Sequence, residues 1–133
     1  MHLKTDFDGP PIAFEITGGE MADAPMFETL PHLGPDGAPR AVVVDKGFDS
    51  RANRAAARAC GAVPVIPHKV DAAAPVKHFA RALYRGRARI EQAVGKLKRL
   101  KRIALRCEKT KANFATFTAL AIGSILVQFV HTA

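Results

Sequence analysis

An α/β fold is predicted for this 133-residue chain, and three features predict it. Two strand-like runs flank an Asp-Gly turn near the N-terminus. Two short runs of β-branched residues bracket an Ala-rich stretch. A long basic segment with helical periodicity then leads into an apolar one. The order is two antiparallel strands, helix, strand, helix, strand, long helix, which is an α/β pattern.

His2-Leu3-Lys4-Thr5 reads as a short strand. Asp8-Gly9, within Asp6-Phe7-Asp8-Gly9, is the strongest local hairpin signal. Pro10-Pro11 limits how early the second strand can pair, because proline cannot donate to a ladder. Ile12 to Thr17 is rich in strand formers, and Gly18-Gly19 ends it. Asp23 can cap a short helix with Pro25 in its first turn and Met26, Phe27 and Leu30 on its apolar face. Residues 31–39 form a loop. Ala41-Val42-Val43-Val44 is a continuous apolar run ending at Asp45, the pattern of a strand buried on both faces. Ser50 opens an Ala-rich helix reaching about Ala59, with Gly61 as its C-cap. Val63-Pro64-Val65-Ile66 is a further strand. Residues 67–79 make a basic, Pro-interrupted loop. A long basic helix is expected from about Phe79 to Leu100 or beyond, and a final apolar helix over roughly 112–130.

Charge is unevenly spread. Residues 1–50 carry three basic and nine acidic residues, a net of −6; residues 51–133 carry 17 basic and three acidic, a net of +14. Such polarity points to a polyanionic partner. Nucleic acid comes first, because phosphates reward dense Lys and Arg through counterion release; an anionic membrane surface comes second. Cys60 and Cys107 stand far apart, and neither has a Cys or His at metal-ligand spacing, so no zinc site is indicated. The N-terminus runs directly into Asp6 and Asp8 without an apolar leader, and a reducing cytoplasm is the expected compartment. Residues 114–130 are largely apolar but are interrupted by Thr116, Thr118, Ser124 and Gln128. The run is short for a span of roughly 20 apolar residues, which favours a buried or interface-packing helix over a membrane helix.

Three features could carry chemistry. Asp45 closes an apolar strand, and in open α/β sheets sites gather at the carboxyl ends of strands. Gly47 lets the backbone turn sharply there. The competing role for Asp45 is to cap the turn that follows. Tyr84, Arg87, Glu91 and Lys98 follow the spacing Y-x2-R-x3-E-x6-K. At about 100° per residue, with Arg87 at zero, Glu91 falls at about 40°, Lys98 at about 20° and Tyr84 at about 60°. All four share one stripe, bordering an apolar face of Leu83, Ile90, Val94 and Leu97. The competing reading is an ordinary Arg87–Glu91 ion pair on a solvated helix. Finally, residues 84–111 hold Arg85, Arg87, Arg89, Lys96, Lys98, Arg99, Lys101, Arg102, Arg106, Lys109 and Lys111 against Glu91 and Glu108. Aromatics are sparse in this run, so phosphate contacts are expected rather than base reading.

These residues resemble a known family. Val43-Val44-Asp45-Lys46-Gly47-Phe48-Asp49-Ser50 is similar to the second-aspartate motif of bacterial insertion-sequence transposases with a DDE active site. Tyr84, Arg87, Glu91 and Lys98 match all four positions of their signature around the catalytic glutamate. Residues 2–10 resemble their strand–turn–strand segment. Arg102-Ile103-Ala104, Lys109-Thr110 and Asn113-Phe114 resemble the stretch after the glutamate helix. The resemblance covers essentially the whole chain.

The resemblance implies a ribonuclease-H-like fold that binds magnesium or manganese, two ions in the complete site. It makes Asp45 the second aspartate and Glu91 the glutamate, both catalytic and both metal ligands. Tyr84, Arg87, Lys98 and Lys46 would contact DNA phosphates. In the family the first aspartate lies on a strand before the strand–turn–strand segment, beside the strand that carries the second. This chain starts inside that segment, so the expected fold is incomplete: a mixed sheet flanked by helices, lacking the first central strand. Residues 1–105 would form the partial catalytic domain and 106–133 an apolar helix packing on it or continuing it. The chain alone is expected to be inactive, as the downstream half of a frameshifted transposase or a remnant. Its partners would be transposon-end DNA, an upstream polypeptide supplying the first Asp, and further copies when complete. The setting would be the bacterial cytoplasm, on the nucleoid, with no membrane partner. Asp6 and Asp8 belong to the turn by local chemistry. The competing functions are a non-catalytic basic nucleic-acid-binding protein and a membrane-associated protein using residues 112–130.

Overall fold

The structure is a computed structural model, and it describes residues 1–20, 24–35, 38–69 and 79–132. Asp23 and most of the predicted 67–79 loop lie outside them. The architecture is mixed α/β. The chain divides into two compact units: Met1–Gly19 with Ala88–Ala133, and Glu20–Arg87.

In the first unit, β1 (His2–Thr5) and β2 (Pro11–Glu15) pair antiparallel. The Asp-Gly turn forms as its chemistry requires. Gly9 sits at φ 108°, and its N–H donates to the Asp6 carbonyl at 3.1 Å. The second strand starts one residue earlier than predicted, at Pro11, which pairs with Thr5; a register shift between Lys4 and Thr5 accommodates it. The hairpin tip rests on α3 (Ala88–Lys98) through Arg89. The Arg89 guanidinium lies over the Phe7 ring (5.3 Å), donates to the Phe7 carbonyl (2.6 Å) and meets Asp8 (3.3 Å). A short α4 (Lys101–Ala104) and the 22-residue α5 (Lys111–Thr132) complete the unit. Its core is Leu97, Ile103, Phe114, Ala121 and Ile122, with Leu3, Phe14, Ile16 and Phe117 packed around it. Along α5, Phe114, Ala121 and Ile122 enter that core, and Phe117, Ile125 and Leu126 pack against it. Leu120, Val127 and Val130 are exposed, and by length and composition α5 could cross a membrane.

In the second unit, β3 (Ala41–Val43) pairs with β4 (Val63–Val65) in parallel. Val44 extends the ladder, its N–H donating to the Val65 carbonyl at 3.3 Å. Between them runs α1 (Arg51–Ala59). Ser50 caps it by accepting from the Asn53 N–H (3.0 Å), and Gly61, at φ 73°, ends it. The Gly61 N–H donates to the Arg58 carbonyl and the Ala62 N–H to the Ala57 carbonyl, the paired bonds of a Schellman stop. Phe27, Ala57 and Ile66 form the core, joined by Val42, Val44 and Phe48. Phe27, in a 3-10 turn over Ala24–Phe27, lies 6.0 Å from Phe48.

Three sequence expectations need correction. The strand Ala41–Val43 is half-buried throughout, not buried on both faces. Among the described residues it has one strand neighbour, β4, and the sheets are two separate two-stranded pairs. The single long helix is instead α2 (Arg81–Arg85), α3 and α4. Gly86 caps α2 through its N–H to the Leu83 carbonyl, and residues 86–87 form a turn; only proline is less favourable than glycine in a helix interior. The buried face of α3 is Ala93 and Leu97, while Ile90 and Val94 are half-buried and Leu83, on α2, is exposed.

Candidate active site

Asp45 follows directly on the β3 ladder. Its backbone is extended (φ −80°, ψ 175°), which turns the side chain toward the residues that follow. Oδ1 accepts from the Gly47 N–H at 2.7 Å and so caps the 3-10 turn Lys46–Phe48. A Cβ on residue 47 would lie 2.9 Å from that oxygen, so a larger residue there would push the Asp45 carboxylate off this contact. Oδ2 meets Arg87 at 3.9 Å, and the side chain is 46% exposed. The capping role is therefore real, and it occupies one oxygen while the other stays at the surface beside a cation. Lys46 is exposed at the start of the turn.

Arg87 also lies over the Tyr84 ring (5.8 Å), and Tyr84 packs against Phe79 (5.2 Å, rings at 59°). The second unit thus holds four expected site residues, Asp45, Lys46, Tyr84 and Arg87. Glu91 and Lys98 belong to the first unit. Glu91 is exposed in the first turn of α3, where the positive end of the helix dipole favours a carboxylate. Together with Ile90, Val94, Gly95 and Lys98 it lines an open hollow on α3. The stripe drawn on one continuous helix is accordingly split by the turn at 86–87.

The basic run is partly used inside the fold. Besides Arg87 and Arg89, Arg102 bonds Glu108 and lies over the Phe117 ring (5.0 Å), and Lys111 meets Glu15 (3.2 Å). Arg85, Lys96, Lys98, Arg99, Lys101, Arg106 and Lys109 are exposed.

One group escaped the sequence reading. Four residues after Asp45, the Asp49 side chain is only 10% exposed. Its Oδ1 accepts from Arg54 Nε (3.0 Å) and Nη2 (2.8 Å). Its Oδ2 accepts from the Lys69 N–H (2.9 Å) and lies 3.4 Å from His68 Nδ1. Arg54 Nη2 also donates to the Ile66 carbonyl (2.7 Å). Burial pushes the Asp49 carboxyl up, but the Lys69 N–H and the Arg54 and His68 charges outweigh it, and the net shift is below the ordinary value. The available signal was an arginine near the start of an Ala-rich helix, five residues after an aspartate.

The sequence profile of the transposase DDE domain matches residues 1–126. The chain belongs to the DDE transposase family. It is 33% identical over 129 residues to a protein of Brucella ovis assigned as a transposase for insertion sequence element IS6501, covering 94% of this chain and 95% of that one. It is 35% identical over 74 residues to one assigned to IS402 in Burkholderia cepacia, covering 49% of this chain and 35% of that protein. No solved structure matches. Membership of the DDE transposases implies a ribonuclease-H-like fold, with which the mixed α/β architecture is compatible.

DDE transposases generally use divalent metals. The exposed carboxylates of Asp45 and Glu91 are hard oxygen donors of the kind Mg²⁺ takes. Asp49 is not comparable, because both of its oxygens are already engaged. Among the described residues no three Asp, Glu, His or Cys side chains cluster as a ready ligand set.

Proposed function

We propose that this chain supplies Asp45 and Glu91 to the active site of an insertion-sequence transposase that cleaves transposon ends and transfers the strand. The observation that carries this reading is Asp45: a carboxylate at a strand end, with one oxygen fixed by Gly47 and the other outward, in a chain matched by the family profile over residues 1–126. Asp45 and Glu91 would hold Mg²⁺ or Mn²⁺. Two such ions, about 3.5–4 Å apart, suit in-line displacement at phosphorus. Arg87 would exchange its long contact with Asp45 for a DNA phosphate, with Tyr84, Lys46 and Lys98 adding further phosphate contacts.

Among the described residues no third carboxylate joins Asp45 and Glu91 as a ready ligand set; on this reading an upstream polypeptide or fusion supplies it, and the chain alone does not turn over. The half-buried β3, with one strand neighbour among the described residues, supports this, since an edge strand offers unpaired backbone to an incoming strand. The complete enzyme is expected to be an oligomer working on paired ends, in the bacterial cytoplasm.

The test is cleavage of duplex DNA carrying the element's ends, in Mg²⁺ or Mn²⁺, by the chain with and without an upstream segment that contains the expected aspartate. Cleavage only by the combination is the predicted result. Robust turnover by the chain alone, abolished in Glu91→Gln, would show the site complete and overturn the inactivity. Failure of both, with salt-sensitive DNA binding that Glu91→Ala leaves intact, would favour a non-catalytic nucleic-acid-binding protein. The exposed cations between Arg85 and Lys109 are the observation behind that second reading.

A further inference from the structure

We infer that Asp49 is a positioning residue for Asp45: it anchors the far end of the turn whose near end holds the active-site carboxylate. The inference rests on Asp45 being a site residue, as proposed above. Within the turn Asp45–Asp49, Lys46 and Gly47 are exposed, while Phe48 packs against the core. The exposed part is therefore held from either side. At the near end Asp45 Oδ1 holds the Gly47 N–H. At the far end the Asp49 N–H donates to the Lys46 carbonyl at 3.2 Å, so any displacement of Asp49 is passed straight back into the turn.

The Asp49 side chain ties that end to two other elements at once. Oδ1 engages Arg54 on α1, and Oδ2 engages the Lys69 N–H and His68 beyond β4. Arg54 closes the loop by donating to the Ile66 carbonyl. Phe48 packing on Phe27, and the Asn53 Nδ2 bond to the Phe48 carbonyl (2.9 Å), keep the segment in place independently. Removing the Asp49 charge should therefore loosen the turn before it unfolds α1. The two aspartates divide the work. Asp49, with each oxygen engaged, has no oxygen for metal, whereas Asp45 keeps one oxygen at the surface.

The test is amide hydrogen exchange, residue by residue, on the full chain and its Asp49→Asn variant. Loss of the pair with Arg54 should raise exchange somewhat throughout the second unit, but exchange at Gly47 and Asp49 should quicken about tenfold more than that of the amides inside α1, as local opening requires. A uniform rise over Gly47, α1 and β4 would mean general destabilisation and overturn the inference, as would an unchanged Gly47. Should Asp49→Asn fail to fold, His68→Ala decides. It removes one contact to Oδ2 and leaves the Arg54 pair; Gly47 must then exchange faster, by a smaller factor, and an unchanged rate overturns the inference. The readout needs no catalysis, so absent DNA cleavage would sink the proposed function without touching this result.

Discussion

Arg54→Ala is expected to destabilise the second unit by roughly 3–5 kcal/mol, the usual cost of removing one partner from a buried ion pair. The Arg54 side chain is 11% exposed, and its removal strips Asp49 of its cation and the Ile66 carbonyl of a donor. The effect should depend on pH. Burial opposes the Asp49 charge, but the Lys69 N–H, Arg54 and His68 together outweigh it, so the folded pKa lies below the unfolded one. A group depressed in this way stabilises fully above its unfolded pKa, about 3.9. That stabilisation is lost as pH falls through the folded value. The wild-type chain should therefore weaken on the acid side, and Arg54→Ala should flatten that limb. Denaturant unfolding at neutral and acid pH measures both. Tyr84 is a convenient fluorescence probe, because the chain has one Tyr, no Trp, and places that Tyr in the second unit. A loss under about 1 kcal/mol at neutral pH would place the pair with surface ion pairs instead.

Leu97→Ala should cost roughly 2–5 kcal/mol in the first unit, from lost burial plus the cavity left behind. Leu97 is fully buried, and it meets Ile103, Phe114, Ala121 and Ile122 from the buried face of α3, while Glu91 is exposed on the same helix. The substitution therefore loosens the helix that presents the glutamate without touching the glutamate. Thermal unfolding followed by far-UV circular dichroism reports it, because α3 and α5 lie in that unit. A cost well under 1 kcal/mol would mean that α3 is held by something other than this core.

Local chemistry was legible in the sequence where one residue decides the outcome. Asp8-Gly9 made the hairpin, Ser50 and Gly61 bounded α1, and Asp45 fell at a strand end, because each acts on backbone within a few residues. Long-range partnership was not. Periodicity carried the helix through residue 86, since Gly86 weakens a helix without interrupting the pattern of its neighbours. The Val42-Val43-Val44 run carries the composition of a central strand, yet burial depends on neighbours, and β4 alone leaves it half-exposed. Arg89 counted as one more phosphate-facing cation, although it clamps the hairpin through Phe7 and Asp8, 82 and 81 residues away. Asp49 passed as part of a motif because its partners Lys69 and His68 belong to another stretch of chain.

The proposed function has Asp45 and Glu91 both serving metal-dependent cleavage in the complemented enzyme. A double-mutant cycle on the complemented enzyme tests it most directly: Asp45→Asn, Glu91→Gln and the pair, assayed for Mg²⁺-dependent end cleavage with DNA binding measured in parallel. Residues that act as a unit are strongly non-additive. The predicted result is a severe loss in each single variant, a double variant no worse than the worse single, and DNA binding kept in all three. Losses that simply multiply, or activity surviving in either single variant, would contradict that joint role.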